Sequence, residues 1–313
     1  MTHSNSAGPS CQSEISAPVE REYVPLISVI IPAFNCEQYL ESAVRSAQAQ
    51  QGCRTEIIVI DDSSTDGTTG VIDRLRSEIT SLRIPNSGPG IARNTGASLA
   101  HGSWLAFLDA DDLWEPDKLI RQLQAARRDD TSVVYTNTRN VGAVRDVDEI
   151  RFSKGQMPAG SVFEDLLNDN FVTFSSVLIS RSAFMAVGGF DVQCHACEDW
   201  DLLLRLAQRY RFSAVSEPLT RYRWANGSFS RRHRLFLKYK FSVVRKALDT
   251  LPGRQLSSVS RRRITARILS DSAWAAALSD PLCSMKWYLR AWLYRPFSTQ
   301  PLRGMVKTML GRR

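Results

Sequence analysis

Four apolar runs of strand length, each broken by a short polar loop before a stretch of helical periodicity, constrain this chain more than any other feature. The first is Leu26-Ile27-Ser28-Val29-Ile30-Ile31, stopped by Pro32-Ala33-Phe34-Asn35. Tyr39, Leu40, Ala43, Val44 and Ala47 then recur at helical spacing, which puts Asn35 or Cys36 near a helix N-terminus. The second run, Glu56-Ile57-Ile58-Val59-Ile60, enters Asp61-Asp62-Ser63-Ser64-Thr65-Asp66-Gly67-Thr68 and a helix carrying Val71, Ile72 and Leu75. A third, Ser81-Leu82-Arg83-Ile84, leads through Asn86-Ser87-Gly88-Pro89-Gly90 into a helix containing Ala92-Arg93-Asn94-Thr95-Gly96. Repeated strand, loop and helix imply right-handed crossovers and a mainly parallel sheet with helices on both faces. In such sheets ligands gather beyond the carboxyl ends of the strands, where these polar loops lie.

The fourth run, 104–108, delivers Asp109, Asp111 and Asp112 within four positions, followed by Trp114 and a Glu-Pro-Asp step into a helix with Leu119, Ile120 and Leu123. Carboxylates this close repel one another, and a bound cation relieves the repulsion most simply. Oxygen-only ligands suit Mg²⁺ or Mn²⁺ rather than Zn²⁺. The bland alternative is an Asp cluster capping a helix in a surface turn. The third loop is neither a G-x-G-x-x-G dinucleotide fingerprint nor a Walker loop, and the charge of Arg93 suits a diphosphate.

Later elements are a strand at 132–136, a polar stretch at 139–160 expected as a hairpin or flexible loop, and a strand at 175–179. Val187-Gly188-Gly189-Phe190-Asp191 precedes an amphipathic helix from Glu198, whose first-turn acids suit the helix macrodipole.

Charge divides the chain. Residues 231–313 hold 19 Lys and Arg against 3 Asp and Glu, a net +16, whereas residues 1–230 hold 21 against 29, a net −8, within a total of +8. The expected organisation is therefore a disordered tail at 1–22, an acidic α/β domain at 23–230 and a basic helical region at 231–313. Trp287, Tyr288, Trp292 and Tyr294 interleave with Lys286, Arg290 and Arg295, which suits an anionic membrane interface over 286–313 or a helical cap packed on the α/β domain. No nucleic-acid recognition module accompanies the basic residues. The scattered cysteines fit a reducing compartment, and Cys194, His195 and Cys197 lack the second ligand pair of a zinc finger. No secretory pattern or membrane-spanning run is read, so a cytoplasmic location is expected, with peripheral attachment to the inner face of the cell membrane as the open alternative.

Taken in order, Ser28–Asn35, Val59–Thr68, Ala92–Gly96, Phe107–Asp112 and Cys197–Leu202 resemble family 2 glycosyltransferases, over about residues 26–225. Any one motif is weak; five in order are specific. The resemblance implies a GT-A fold and an inverting, metal-dependent hexosyltransferase with a nucleotide-diphosphate sugar donor, UDP-linked, serving a glycan or lipid-linked acceptor in surface polysaccharide or glycolipid synthesis. It implies that Pro32, Ala33, Phe34 and Asn35 line the nucleoside pocket and that Asp62, with Asp61 beside it, reads the base. Arg93 would lie near the diphosphate. Asp109-Ala110-Asp111 matches the DxD motif, with Asp111 and Asp112 expected at a Mn²⁺ or Mg²⁺ ion. Asp199 resembles the general base, with Glu198 as fallback. Many relatives carry a His two residues beyond the position of Arg223; here it is Ala225, and Arg223, Asn226 or Ser228 stand nearby as replacements. A non-catalytic nucleotide-sugar-binding or membrane-associated protein is the competing expectation, and a nucleotidyltransferase fits the motif order less well.

Overall fold

The structure, a computed structural model, describes residues 24–142, 149–153, 156–194, 196–223, 233–277 and 280–310. The expected disordered tail, His195, and Ala225, Asn226 and Ser228 lie outside the described residues.

The first half follows the strand–helix alternation. Strand β1 (Leu26–Ala33) leads to helix α1 (Leu40–Gln48), β2 (Arg54–Asp61) to α2 (Thr68–Leu75), β3 (Thr80–Arg83) to α3 (Pro89–Leu99), and β4 (Trp104–Phe107) to the two-residue β5 (Leu113–Trp114) and α4 (Lys118–Asp129). Strands β3, β2, β1 and β4 lie side by side and parallel, with Ala33 level with Asp61 at the loop end. Burial on both faces explains why β1 reads as a nearly unbroken apolar run. Ile27, Val29 and Ile31 pack with residues of α1, α2 and α4, while Ile30 joins Ile58, Leu105 and Phe107 on the other face. On that face α3 lies so close to β1 that a Cβ on Gly96 would come 2.5 Å from Ile30 Cγ2.

Beyond α4 the sheet becomes mixed. Long β6 (Val133–Val141) pairs antiparallel with β7 (Glu149–Ile150), the hairpin form of the expected polar stretch. Then come α5 (Phe163–Asn168), a 3-10 turn at Phe174–Ser176, β8 (Val177–Ser180), α6 (Arg181–Ala186), α7 (Glu198–Ala207) and β9 (Phe212–Arg223). Strand β8 lies between β4 and β6 and is antiparallel to both; β9 runs parallel to β6 and pairs antiparallel with β5. This geometry brings the end of β9 back to the loop that follows β4.

The C-terminal region consists of α8 (His233–Leu248), α9 (Leu251–Gln255), α10 (Ser258–Ala276), α11 (Pro281–Tyr294) and α12 (Thr299–Met309). Val243, Val244, Ala247, Ile264 and Ile268 belong to the same apolar core as α7. Lys246 Nζ donates to Asp191 at 2.6 Å and Asp201 at 2.7 Å, fastening α8 to the sheet domain.

Candidate donor and acceptor site

The loops after β1 and β2 are bonded to each other before any ligand is considered. Asn35, in the left-handed region at φ 49°, receives Thr65 N–H on its Oδ1 at 2.8 Å and donates its own N–H to Ser64 Oγ at 3.1 Å. Cys36 N–H donates to Thr68 Oγ1 at 2.9 Å. Pro32 and Ala33 lie under this crossing, and Phe34 projects at the rim with 49% of its surface exposed.

The two acids that end β2 have separate tasks. Asp61 is buried, and its carboxylate accepts Arg83 Nη1–H and Ser64 N–H, both at 2.9 Å, which fixes the turn. Asp62 receives the backbone N–H groups of Ser87 at 2.7 Å and Gly88 at 2.8 Å, drawing the third loop against the second. Two such bonds leave an ionised carboxylate with lone pairs to spare, so Asp62 can still accept a ring N–H of a base.

Arg93, expected near the diphosphate, is held by two acids. It is only 5% exposed; Nη2 donates to Asp109 at 2.6 Å and Nη1 to Glu198 at 3.1 Å, and the guanidinium lies 5.1 Å from the Phe174 ring centre and 5.5 Å from that of Phe190. Burial disfavours its charge, yet Asp109 and Glu198 hold its pKa above the ordinary value. One buried cation thus joins the acid at the end of β4 to the acid at the start of α7. Asn94, one residue on, grips Phe190 from both sides, Nδ2 to its carbonyl and Oδ1 to its N–H, each at 2.9 Å. The grip requires a close pass at Gly189, at φ 64°, where a Cβ would sit 2.7 Å from Asn94 Oδ1.

The structure separates the three acids after β4. Asp109 pairs with Arg93, and its N–H donates to Ser175 Oγ at 3.1 Å. Asp111 keeps partial access to solvent, and burial followed by the Asp109 charge pushes its pKa up to about 6. Asp112 has no exposed surface; its Oδ1 receives Arg223 N–H at 2.9 Å, and Oδ2 has no hydrogen-bond partner among the described residues. Burial, then Asp109 and Asp111, raise its pKa well above the ordinary carboxylate value. Of the two acids expected at a cation, Asp111 is therefore the accessible one, and Asp112 anchors β9. An all-oxygen set of crowded carboxylates, one with an unbonded oxygen, fits Mg²⁺ or Mn²⁺, which take one or two carboxylates together with substrate phosphates.

Another acidic group can be set aside. Among the described residues, the group of three potential ligand atoms within 4.8 Å of one another belongs to Asp191, Cys194 and Asp201. Lys246 bridges both of its carboxylates and Arg205 Nε donates to Asp201 at 2.7 Å, so ammonium and guanidinium already balance the charge. Burial pushes the Cys194 thiol up to about 12.

Glu198 and Asp199 are likewise distinguished. Glu198 is committed to Arg93. Among the described residues, the Asp199 carboxylate accepts its neighbour Trp200 N–H at 2.7 Å and a long 3.5 Å contact from Asn170 Nδ2. Burial, then the Glu198 charge, against the opposing pull of Arg93, sets its pKa at about 6, near the value that suits a general base.

Two contributors escaped the sequence reading. Arg223, noted there only as a replacement for a His, donates Nε–H to the Asp111 carbonyl at 2.9 Å and stacks over the Tyr39 ring at 4.8 Å. Tyr222 is half-buried, and desolvation together with the charges of Asp112, Asp109, Asp111 and Asp199 raises its phenol pKa well above the ordinary value. Their position at the end of β9 is set by pairing across the sheet, and no local periodicity announces it.

The model of the glycosyl transferase family 2 matches residues 28–188, which contain both the Asp62 and the Asp109–Asp112 loops. The chain is 30% identical over 198 residues to a hyaluronan synthase of Pasteurella multocida, covering 62% of this chain and 20% of that protein. It is 28% identical over 212 residues to the putative teichuronic acid biosynthesis glycosyltransferase TuaG of Bacillus subtilis, covering 66% of this chain and 82% of that one. The chain thus spans about a fifth of the synthase's length. Among solved structures, S. aureus TarS 1–349 in complex with UDP-GlcNAc superposes with a TM-score of 0.66 at 17% identity, over 91% of this chain and 87% of that one. The mannosyltransferase PcManGT of Pyrobaculum calidifontis, in complex with GDP-Man and Mn²⁺, gives 0.60 at 18% identity over 93% and 89%. Ordered loops at one sheet edge, the family model across half the chain and the shared architecture converge: this chain belongs to glycosyl transferase family 2 and has the GT-A fold.

Proposed function

We propose that the chain transfers a hexose, with inversion, from a UDP-linked donor to a glycan or lipid-linked acceptor in the synthesis of a surface polysaccharide or glycolipid. The observation that carries this reading is the Arg93 bridge. It ties Asp109 to Glu198 and leaves Asp199 as the carboxylate with unspent hydrogen-bonding capacity. Family membership, the UDP-GlcNAc bound by TarS and the polysaccharide-forming relatives support the donor and product class.

In this reading the base packs beside Phe34 and meets Asp62, and the diphosphate lies over Asp111. Asp111 would hold a divalent cation there, which, when bound, supplies Lewis-acid stabilisation of the departing phosphate. Arg223 adds positive charge on the same side, where Arg93 is already engaged. Asp199 accepts the proton of the acceptor hydroxyl as its oxygen bonds to the anomeric carbon. The bond from that carbon to the phosphate oxygen breaks on the opposite face, so configuration inverts and nucleoside diphosphate leaves.

Screening UDP- and GDP-linked sugars with Mn²⁺ for acceptor-dependent release of nucleoside diphosphate tests the activity. Binding without release for every sugar and acceptor would instead mark a non-catalytic member of the family. Because Asp199 must be deprotonated to act, the rate should fall as pH drops below its value of about 6, by about tenfold per pH unit. A pH–rate profile that stays flat down to roughly pH 5 would remove Asp199 from this role.

A further inference from the structure

Helices α11 and α12 are turned inside out relative to an ordinary surface helix. The buried positions of α11 are Ser284, Tyr288 and Ala291, and those of α12 are Pro301 and Thr308, small or polar side chains for the most part. The two helices meet through them: Ser284 Oγ lies 3.2 Å from Thr308 Oγ1, and Gly304 admits the Tyr288 ring, where a Cβ would fall 2.3 Å from its Cζ. The large apolar side chains point outward. Leu282, Leu289 and Leu293 form an exposed row on α11; Leu302, Val306 and Leu310 form another along α12, and Phe297 in the intervening turn is 100% exposed. Trp287 and Tyr288, which the sequence suggested for a membrane interface, are used inwardly instead, Trp287 edge-on to Phe241 of α8 and Tyr288 against α12.

Counted at about 100° of rotation per residue from the Ser284–Thr308 contact, each row lies about 160° round its own helix, on the side turned away from the other helix. Cations flank each row. Lys286 and Arg290 follow the leucines of α11, and Arg303 and Lys307 occupy the same relative place on α12; all four are exposed, and none is in an ion pair among the described residues. Residues 281–313 contain seven Lys and Arg and no Asp or Glu. Among the described residues no helix is long and apolar enough to cross a membrane, so a surface of this kind suits contact in the plane of an interface.

We propose that the outer face of α12 docks on an anionic lipid bilayer, Leu302, Val306 and Leu310 entering the boundary between headgroups and acyl chains while Arg303 and Lys307 meet acidic headgroups. Charge complementarity selects this occupant: the apolar row alone would suit many partners, but the cations beside it, in a segment 281–313 that holds no Asp or Glu, match an anionic sheet. The proposal is independent of sugar transfer, because it involves none of the site residues.

Flotation of the full chain with phosphatidylcholine vesicles, with and without about one-third phosphatidylglycerol, tests it. The protein should float with the anionic vesicles and not with the neutral ones. Leu302→Glu/Val306→Glu should reduce partitioning at least about tenfold, and Arg303→Ser/Lys307→Ser by about fivefold per lost charge. These positions are exposed, so circular dichroism and melting should match wild type. Failure of wild type to float, or equal flotation of the folded variants, would overturn the proposal. So would a concentration-dependent dimer abolished by Leu302→Glu/Val306→Glu, because the face would then serve a second copy of the chain.

Discussion

Asp199→Asn should reduce sugar transfer by about 10²–10⁴-fold while leaving donor affinity within about twofold of wild type. The substitution keeps the volume of the side chain and its contact with Trp200 N–H, so the α7 start should remain folded. What disappears is the acceptor of the hydroxyl proton. Glu198 is poorly placed to take over, because its carboxylate is held by Arg93 at 3.1 Å and only 12% of its side chain is exposed. Glu198→Gln should therefore act mainly through the bridge, with a smaller loss of transfer than Asp199→Asn. The reverse order in steady-state assays would move the base to Glu198.

Arg93→Met should be the most damaging substitution for the fold among the site residues. It removes the cation between Asp109 and Glu198, leaving the largely buried Glu198 and the half-buried Asp109 without their partner, a situation that costs at most about 3–5 kcal/mol. A melting temperature lower by roughly 5–15 °C is expected. Arg93 also opposes the upward shift of Asp199, so its loss should raise the pH below which transfer fails. Arg93→Lys keeps a charge but not the fork that spans both acids, and should recover only part of the stability. An Arg93→Met protein that melts with wild type would mean that the bridge holds nothing in place.

The unevenness of what the sequence disclosed has physical causes. Strand β1 was legible because both of its faces are buried, which makes it a continuous apolar run. Strand β9 was not. Its Ser216-Glu217-Pro218 centre breaks any alternation, and the pairing with β6 shifts register around Asn137, opposite Pro218, which has no N–H to give. The polar outer half of β6 is stable because Asn137, 3% exposed, turns its amide to Phe152 and Ser216 carbonyls and accepts Thr138 and Phe152 N–H groups. Such bonding depends on distant chain and leaves no local pattern. Two-residue β5 is likewise a product of β9 and of Trp114 Nε1, which donates to the Ser175 carbonyl at 2.7 Å.

The candidate site divides along the same line. Acids at strand ends were readable from type and order. The partner of each was not: Arg93 and Glu198 lie 105 residues apart, and nothing near Arg93 indicates that its guanidinium is consumed by two carboxylates. Nor could sequence distinguish Asp111 from Asp112, since only the return of β9 covers one and leaves the other accessible.

The central claim is a single donor pocket with a base-reading end at Asp62 and a cation end at Asp111. Titration of wild type, Asp62→Ala and Asp111→Ala with UDP-GlcNAc, each with and without Mn²⁺, tests it most directly. Mn²⁺ should strengthen binding to wild type and to Asp62→Ala, with Asp62→Ala weaker under both conditions, whereas Asp111→Ala should bind equally with and without the ion. An Asp111→Ala protein that keeps the full Mn²⁺ enhancement would contradict the account.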